Sequence, residues 1–218
     1  MAKTKVGVLV SGRGSNLQAL LDAAQDPDFP AEVVLVLSNK AGAQGLERAR
    51  KVDVPTGFID HTLYDDREDF EKDLDAKLRE AGVQIVCLAG FMRILTPWFV
   101  EKWRDRMLNI HPSLLPAFKG VHTHERALEK GVRVHGCTVH FVRAEMDDGP
   151  IIGQAVVPVM AGDTPDSLSA RVLEAEHKLY PACLKLVADG KARVSAESVR
   201  IAEGSEPDSE TVLINPAV

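Results

Sequence analysis

No apolar run in this sequence approaches the ~18–20 residues that span a bilayer. Met1-Ala2-Lys3-Thr4-Lys5 leads directly into a short strand rather than into a signal-peptide apolar region. A soluble, cytoplasmic protein is expected. Cysteine is scarce: the three residues Cys87, Cys137 and Cys183 are scattered and in no paired motif. They read as reduced core thiols, which excludes a disulfide framework. Positive charge is in deficit, with a net charge of -6. That excludes a general nucleic-acid binder, whose surface should be basic, but not a small anionic ligand, which needs only a local positive site. Also missing are a Gly-x-Ser-x-Gly nucleophile elbow, any internal repeat, and a cysteine in a nucleophile's setting.

What is present is ordinary globular composition, 45% apolar and 27% charged over 218 residues, enough for one substantial core. The first half alternates strand and helix patterns. Lys5 to Val10 is an apolar strand, Ser15 to Ala24 a helix, Val33 to Leu37 a strand, Gln44 to Lys51 a helix, and Gly57 to Asp60 a weak strand. Asp66 to Ala81 places Phe70, Leu74, Leu78 and Ala81 at helical spacing, and Val83 to Ala89 is a continuous apolar run, as in a parallel strand covered on both faces. The order predicts an α/β domain with a mostly parallel, Rossmann-like sheet flanked by helices. Its ligands should gather beyond the carboxyl ends of the strands, so the loops after Val10, Leu37, Ala89 and Ile110 should be neighbours.

The second half adds strand patterns at Val134 to Val142 and Ile151 to Val159, read as antiparallel strands joined to that sheet. Pro165 to Ala188 is a long helix with Asp163 or Thr164 as N-cap, which Pro181 should kink or interrupt. A single domain is expected over about 1–190, with a ligand-binding half to about 105 and a second half from about 106 to 190. Residues 191–218 form a tail with a short strand pair around Val194 and Val199, a loop at Gly204 to Asp208, and a last ten residues that fray or pack as an edge.

The sharpest chemical signal is Leu108-Asn109-Ile110-His111-Pro112-Ser113-Leu114-Leu115-Pro116. Two-residue spacing puts Asn109 and His111 on one strand face, roughly 6–7 Å apart, with Leu108 and Ile110 on the other. Pro112 should end the strand. An amide that donates to an oxyanion beside an imidazole that carries a proton is a minimal acyl-transfer site. The plainer alternative is a strand end before a Pro-rich turn. Val10-Ser11-Gly12-Arg13-Gly14-Ser15-Asn16-Leu17 joins strand to helix with glycines that admit a close ligand and free N–H groups that favour phosphate. It fits neither the dinucleotide fingerprint nor the Walker loop, and an ordinary capped turn is the alternative.

Asp147 is the carboxylate to pair with His111, where it would favour imidazolium, raise the ring's pKa and fix its orientation; an ordinary acid-acid-Gly-Pro turn is the alternative, and Asp148 either shares that role or is solvated. Glu176 falls on the apolar stripe of the long helix with Leu168, Val172 and Tyr180, so it either reaches solvent at the edge or meets a polar ligand. Arg67 and Arg93 are either anion-binding or solvated helix-end charges. His122-Thr123-His124 supplies only two ligands, so no metal is expected; His61, His135 and His177 have no supporting context.

Together these residues resemble the phosphoribosylglycinamide formyltransferases, folate-dependent enzymes of purine synthesis. The likeness rests on Ser11 to Ala19, Ser38 to Ala41, Ala89 to Leu95, Asn109 to Pro116, His122 to His124, His135 to Val142, Asp147 to Pro150, Gln154-Ala155, Val157 to Val159, Glu176-His177 and Tyr180-Pro181, collinear over about residues 5 to 190. The Asn-x-His-x-Ser-Leu-Leu-Pro part is shared with other formyl-handling enzymes; the Gly-x-Gly-Ser-Asn loop narrows the family. The resemblance implies the formyltransferase fold and formyl transfer from 10-formyltetrahydrofolate, as co-substrate, to the amine of glycinamide ribonucleotide. It implies that Gly14, Ser15 and Asn16 hold the phosphate and Glu176 the ribose or glycinamide end. Arg67, Met92, Arg93, Ile94 and Leu95 would contact the folate, with Asn109 facing its formyl group. Asn109, His111 and Asp147 would be catalytic. The phosphate loop then marks the half to about 105, and the half from about 106 to 190 is the one assigned to folate and catalysis. The implied partners are the two small molecules, with the chain a monomer or homodimer, and without metal, nucleic acid or membrane. A cis peptide at Leu115-Pro116 suits the tight segment. Asp148 stands where relatives often have Gly, and the tail after Gly190 matches nothing. Methionyl-tRNA formyltransferase, a formyltetrahydrofolate hydrolase, and a silent nucleotide- or folate-binding module are the rivals. The first should carry an extra basic C-terminal domain and the second an N-terminal regulatory domain, and a silent module would not need all three catalytic residues.

Overall fold

A computed structural model describes residues 2–202 and residue 215. Five parallel strands form most of one sheet: β1 (Thr4–Val10), β2 (Ala31–Ser38), β3 (Thr56–Phe58), β4 (Ile85–Leu88) and β5 (Met107–His111). Antiparallel β6 (Val134–Phe141) and β7 (Ile151–Pro158) complete it, in the order β3-β2-β1-β4-β5-β6-β7. The helices are α1 (Ser15–Ala24), α2 (Gln44–Arg50), α3 (Arg67–Glu80), α4 (Pro97–Lys102), α5 (Thr123–Glu129) and α6 (Pro165–Ala188). Among the described residues no helix is long and apolar enough to cross a membrane.

Strand pleating divides the interior into two cores. Val6, Val8, Val10, Cys87, Leu108 and Ile110 face one side with Leu17, Leu20, Leu46, Val172 and Tyr180 from α1, α2 and α6. Leu9, Val86, Leu88 and Met107 face the other, with Phe70, Leu74 and Leu78 of α3, Phe99 of α4 and Trp103 just after it. Gly7 brings α3 close, because a Cβ there would lie 2.6 Å from Leu78 Cδ2. The alternation along β5 is decisive for the site. With Leu108 and Ile110 committed to the α1/α6 core, Asn109 and His111 must take the opposite face.

Three carboxyl-end loops interlock as their parallel strands predict. Ser11 Oγ donates to Asn39 Oδ1 at 2.6 Å and accepts from Met92 N at 2.8 Å, while Ser11 N bonds to Gly90 O at 3.1 Å. The α6 helix, capped by Thr164, runs unbroken through Pro181. Pro181 lacks the N–H that would bond one turn back, but Tyr180, Cys183 and Leu184 are buried on either side, and that packing holds the helix continuous. The short α4 and α5 and the turn at His61–Leu63 carry too few apolar repeats to show in the sequence. β6 is buried on both parities, whereas edge strand β7 is largely part-exposed, with only Ile152 and Val157 buried. The tail pair exists as β8 (Ala192–Ser195) and β9 (Ser198–Ile201), with Val194 opposite Val199. The loop at 204–208 lies outside the described residues, as do the last ten residues apart from Asn215.

Candidate active site

The Asn109 amide and the His111 ring stand at the carboxyl end of β5. Across the ladder Asn109 pairs with His140 of β6, and its Nδ2 lies 3.2 Å from His140 Nε2. His140 Nδ1 contacts Phe141 O at 2.9 Å, a carbonyl that only accepts. His140 is thereby assigned the Nδ1–H tautomer, and Nε2 accepts from Asn109. One amide hydrogen of Asn109 is spent on that bond, which fixes the amide's orientation and leaves the other to donate. Burial pushes His140 towards the neutral form, with the neighbouring Asp147 carboxylate acting in the opposite sense.

His111 is 5% exposed. Its Nε2 contacts Phe118 O at 3.1 Å and its Nδ1 lies 3.5 Å from Asp147 Oδ2. Both ring nitrogens thus face oxygen acceptors. Asp147 Oδ2 also accepts from Gly120 N at 2.8 Å, and Oδ1 lies 4.0 Å from His140 Nε2. The backbone at Asp147 is left-handed, with φ 53. The sequence-distant pair therefore meets, and the bond to Gly120 ties the 145–150 turn to the segment after β5. Asp148 does not join it. Its carboxylate pairs with Lys119 and is 56% exposed.

The segment after His111 is held by buried hydroxyls. Thr138 Oγ1 donates to Ser113 O at 2.7 Å and accepts from Leu115 N at 3.0 Å. Gln154 Nε2 donates to Leu115 O at 2.9 Å, and the Leu115-Pro116 peptide is cis. Behind it His124 and His135 pack edge to face at 5.3 Å. Burial pushes the His135 pKa down to about 4 and lowers that of His124. His122, by contrast, is 73% exposed and faces Glu125. Among the described residues no group of three or more His, Cys, Asp or Glu is placed to hold a metal ion.

At the β1–α1 turn Gly14 is left-handed, with φ 69, and the first turn of α1 has no side-chain cap. A Cβ on Gly14 would sit 2.6 Å from Gly45 Cα, so a larger residue has no room. The orphan N–H groups of Ser15 and Asn16 stay available to an anion. Asn16 Nδ2 donates to Glu176 Oε2 at 2.7 Å, while Asn16 Oδ1 is buried without a partner. Glu176 is 6% exposed rather than solvated at a helix edge. Burial raises its pKa and the Asn16 bond opposes that rise. These two residues of α1 and α6 meet each other.

The 91–96 segment is mixed. Met92 and Ile94 are 70% and 65% exposed, whereas Leu95 is buried in the α3/α4 core. Arg93 stacks its guanidinium 5.4 Å from the Phe70 ring, and Arg67 is exposed at the start of α3. The sequence reading missed His140, Ser11, Thr138 and Glu71. His140 and Thr138 left only the signal that they share one parity on β6, the parity that the register sets opposite Asn109 and His111. A cavity of about 380 Å³ lined by Gln84, Arg106, Phe141 and Arg193 lies at the amino end of β4 and β5, away from all these groups.

Residues 4–184 match the formyl transferase family model. The chain is 55% identical over 88% of its length to the trifunctional purine biosynthetic protein adenosine-3 of Gallus gallus, but spans only 19% of that protein. It is 48% identical to the phosphoribosylglycinamide formyltransferase of Escherichia coli K12, over 86% of this chain and 88% of that protein. The crystal structure of glycinamide ribonucleotide transformylase 1 from Symbiobacterium toebii superposes with a TM-score of 0.90 at 46% identity, over 92% of this chain and 95% of the other. On sequence and fold alike, the chain belongs to the phosphoribosylglycinamide formyltransferases.

Proposed function

We propose that this chain transfers the formyl group of 10-formyltetrahydrofolate to the amine of 5-phosphoribosylglycinamide, yielding the N-formyl product and tetrahydrofolate in purine synthesis. Single-function and trifunctional relatives alike support the activity, and the contact of His111 with Asp147 beside the Asn109 amide carries the mechanism. The substrate amine attacks the formyl carbon. The free Asn109 hydrogen and His111 donate to the tetrahedral oxyanion, an effect worth about 10²–10³-fold per donor. His111 then passes a proton to the departing folate nitrogen, directly or through water, worth about 10²–10⁴-fold, and the proton shed by the attacking amine restores the ring for the next turnover. Asp147 orients the ring through its contact with Nδ1. His111 Nε2 exchanges its Phe118 carbonyl partner for substrate as the site fills. Gly14, Ser15 and Asn16 receive the phosphate, with Glu176 at the ribose or glycinamide end. Arg67, Met92, Arg93, Ile94 and Leu95 receive the folate.

The test mixes enzyme, glycinamide ribonucleotide and a 10-formylfolate and follows the deformylated folate by absorbance. Formyl loss that needs the ribonucleotide supports the reading. Formyl loss without it indicates a hydrolase, and none at all indicates a silent module.

A further inference from the structure

Glu71 is a carboxylate with no place in the chemistry above, yet it is 2% exposed. An acid buried that deeply needs bonds to offset its lost hydration. Its partners both belong to Thr96: Oε1 accepts from Thr96 N at 2.8 Å, and Oε2 accepts from Thr96 Oγ1. Thr96 in turn caps α4, accepting from Phe99 N at 3.4 Å. The other end of the same segment is held by Met92 N on Ser11 Oγ. Between these two anchors stand the exposed Met92 and Ile94, and Arg93 stacked on Phe70, the residue preceding Glu71. A short segment fixed at both ends keeps apolar side chains in water without collapsing them onto the core. That is an arrangement for contacting a flat apolar ligand.

We propose that Glu71 is a positioning residue for folate binding, one that sets the wall formed by residues 92–95 through its paired bonds to Thr96. The inference rests on the assignment of that segment to the folate given above. Glu71 touches no reacting atom. Its effect should appear in the KM for the folate and not in the KM for the ribonucleotide, whose residues lie on α1 and α6.

The experiment compares Glu71→Leu, Glu71→Gln and Thr96→Val with wild type, measuring both KM values, kcat and the thermal midpoint. Glu71→Gln retains an oxygen for Thr96 N and an amide that can donate to Thr96 Oγ1, so it should stay within about threefold of wild type. Glu71→Leu removes both bonds and should raise the folate KM about tenfold or more, with the ribonucleotide KM unchanged. Thr96→Val removes one of the two Glu71 bonds together with the cap bond from Phe99 N, should give an intermediate rise, and decides the matter if Glu71→Leu fails to fold. Equal rises in both KM values, or a lower thermal midpoint with neither KM moved, would overturn the proposal. Ile94→Asp separates the two levels. If it leaves the folate KM unchanged, the folate assignment itself falls; if it raises that KM while the Glu71 and Thr96 variants do not, only the role of Glu71 falls.

Discussion

Replacing Asp147 by Asn removes one charge and leaves the size of the side chain unchanged. The carboxylate lies 3.5 Å from His111 Nδ1, with the two side chains 11% and 7% exposed, so solvent screens the pair little. At an effective dielectric of about 20, unit charges about 4 Å apart interact by about 4 kcal/mol, or close to three decades in rate at ~1.4 kcal/mol per decade. Direct proton-transfer assistance, about 10²–10⁴-fold, brackets the same range. Asp147→Asn should therefore lower kcat by about 10³-fold. The amide oxygen can still accept from Gly120 N, so the 145–150 turn should stay docked. The KM for glycinamide ribonucleotide should stay within about threefold, because Ser15, Asn16 and Glu176 belong to other elements. The measurement is steady-state turnover with each substrate varied, beside a thermal melt to show that the variant is folded. A kcat within tenfold of wild type, or parallel losses in kcat and ribonucleotide binding, would refute the reasoning.

Further outcomes follow from the same structure. His135 is held near pKa 4 by burial, below an unfolded value of about 6.5; in that interval the unfolded chain binds the extra proton, so stability should fall as pH drops from about 6.5 towards 4. His135→Asn should flatten that dependence in urea titrations, and an unchanged slope would reject His135 as its source. Glu176→Gln should raise the ribonucleotide KM about tenfold and affect the folate KM little, as isothermal binding of each ligand would report; a change confined to the folate would move Glu176 to the other subsite. Gly7→Ala should cost about 1–3 kcal/mol in chemical denaturation, since the new methyl meets Leu78 Cδ2 at 2.6 Å. A neutral result there would mean that α3 yields freely.

The legible parts were those with a local cause. Apolar runs and their pleat gave β1, β2, β4 and β5, and the Asn109–His111 parity followed from the burial of Leu108 and Ile110 on the other face. The N-cap of α6 and the Val194–Val199 pair were equally local. What escaped depends on pairing between distant segments. Nothing near Asn109 announces that His140 orients its amide, because that follows from the antiparallel register of β5 and β6. For Glu176 the apolar stripe leaves both solvent at the helix edge and a polar ligand open, because it says nothing of Asn16 on another helix. Glu71 fell among the charges of an amphipathic helix, and only Thr96 across the fold explains its burial.

The register of the site carries a consequence for synthesis of the chain. Three groups of the candidate site are completed by residues made later: Asn109 by His140, His111 by Asp147, and Asn16 by Glu176, which stands 160 residues downstream. A nascent chain that has emitted its phosphate turn and its catalytic strand still lacks the partner of each. Translation halted before α6 would release a fragment that already holds His140 and Asp147 but lacks Glu176, so Asn16 would be the one group still without its partner.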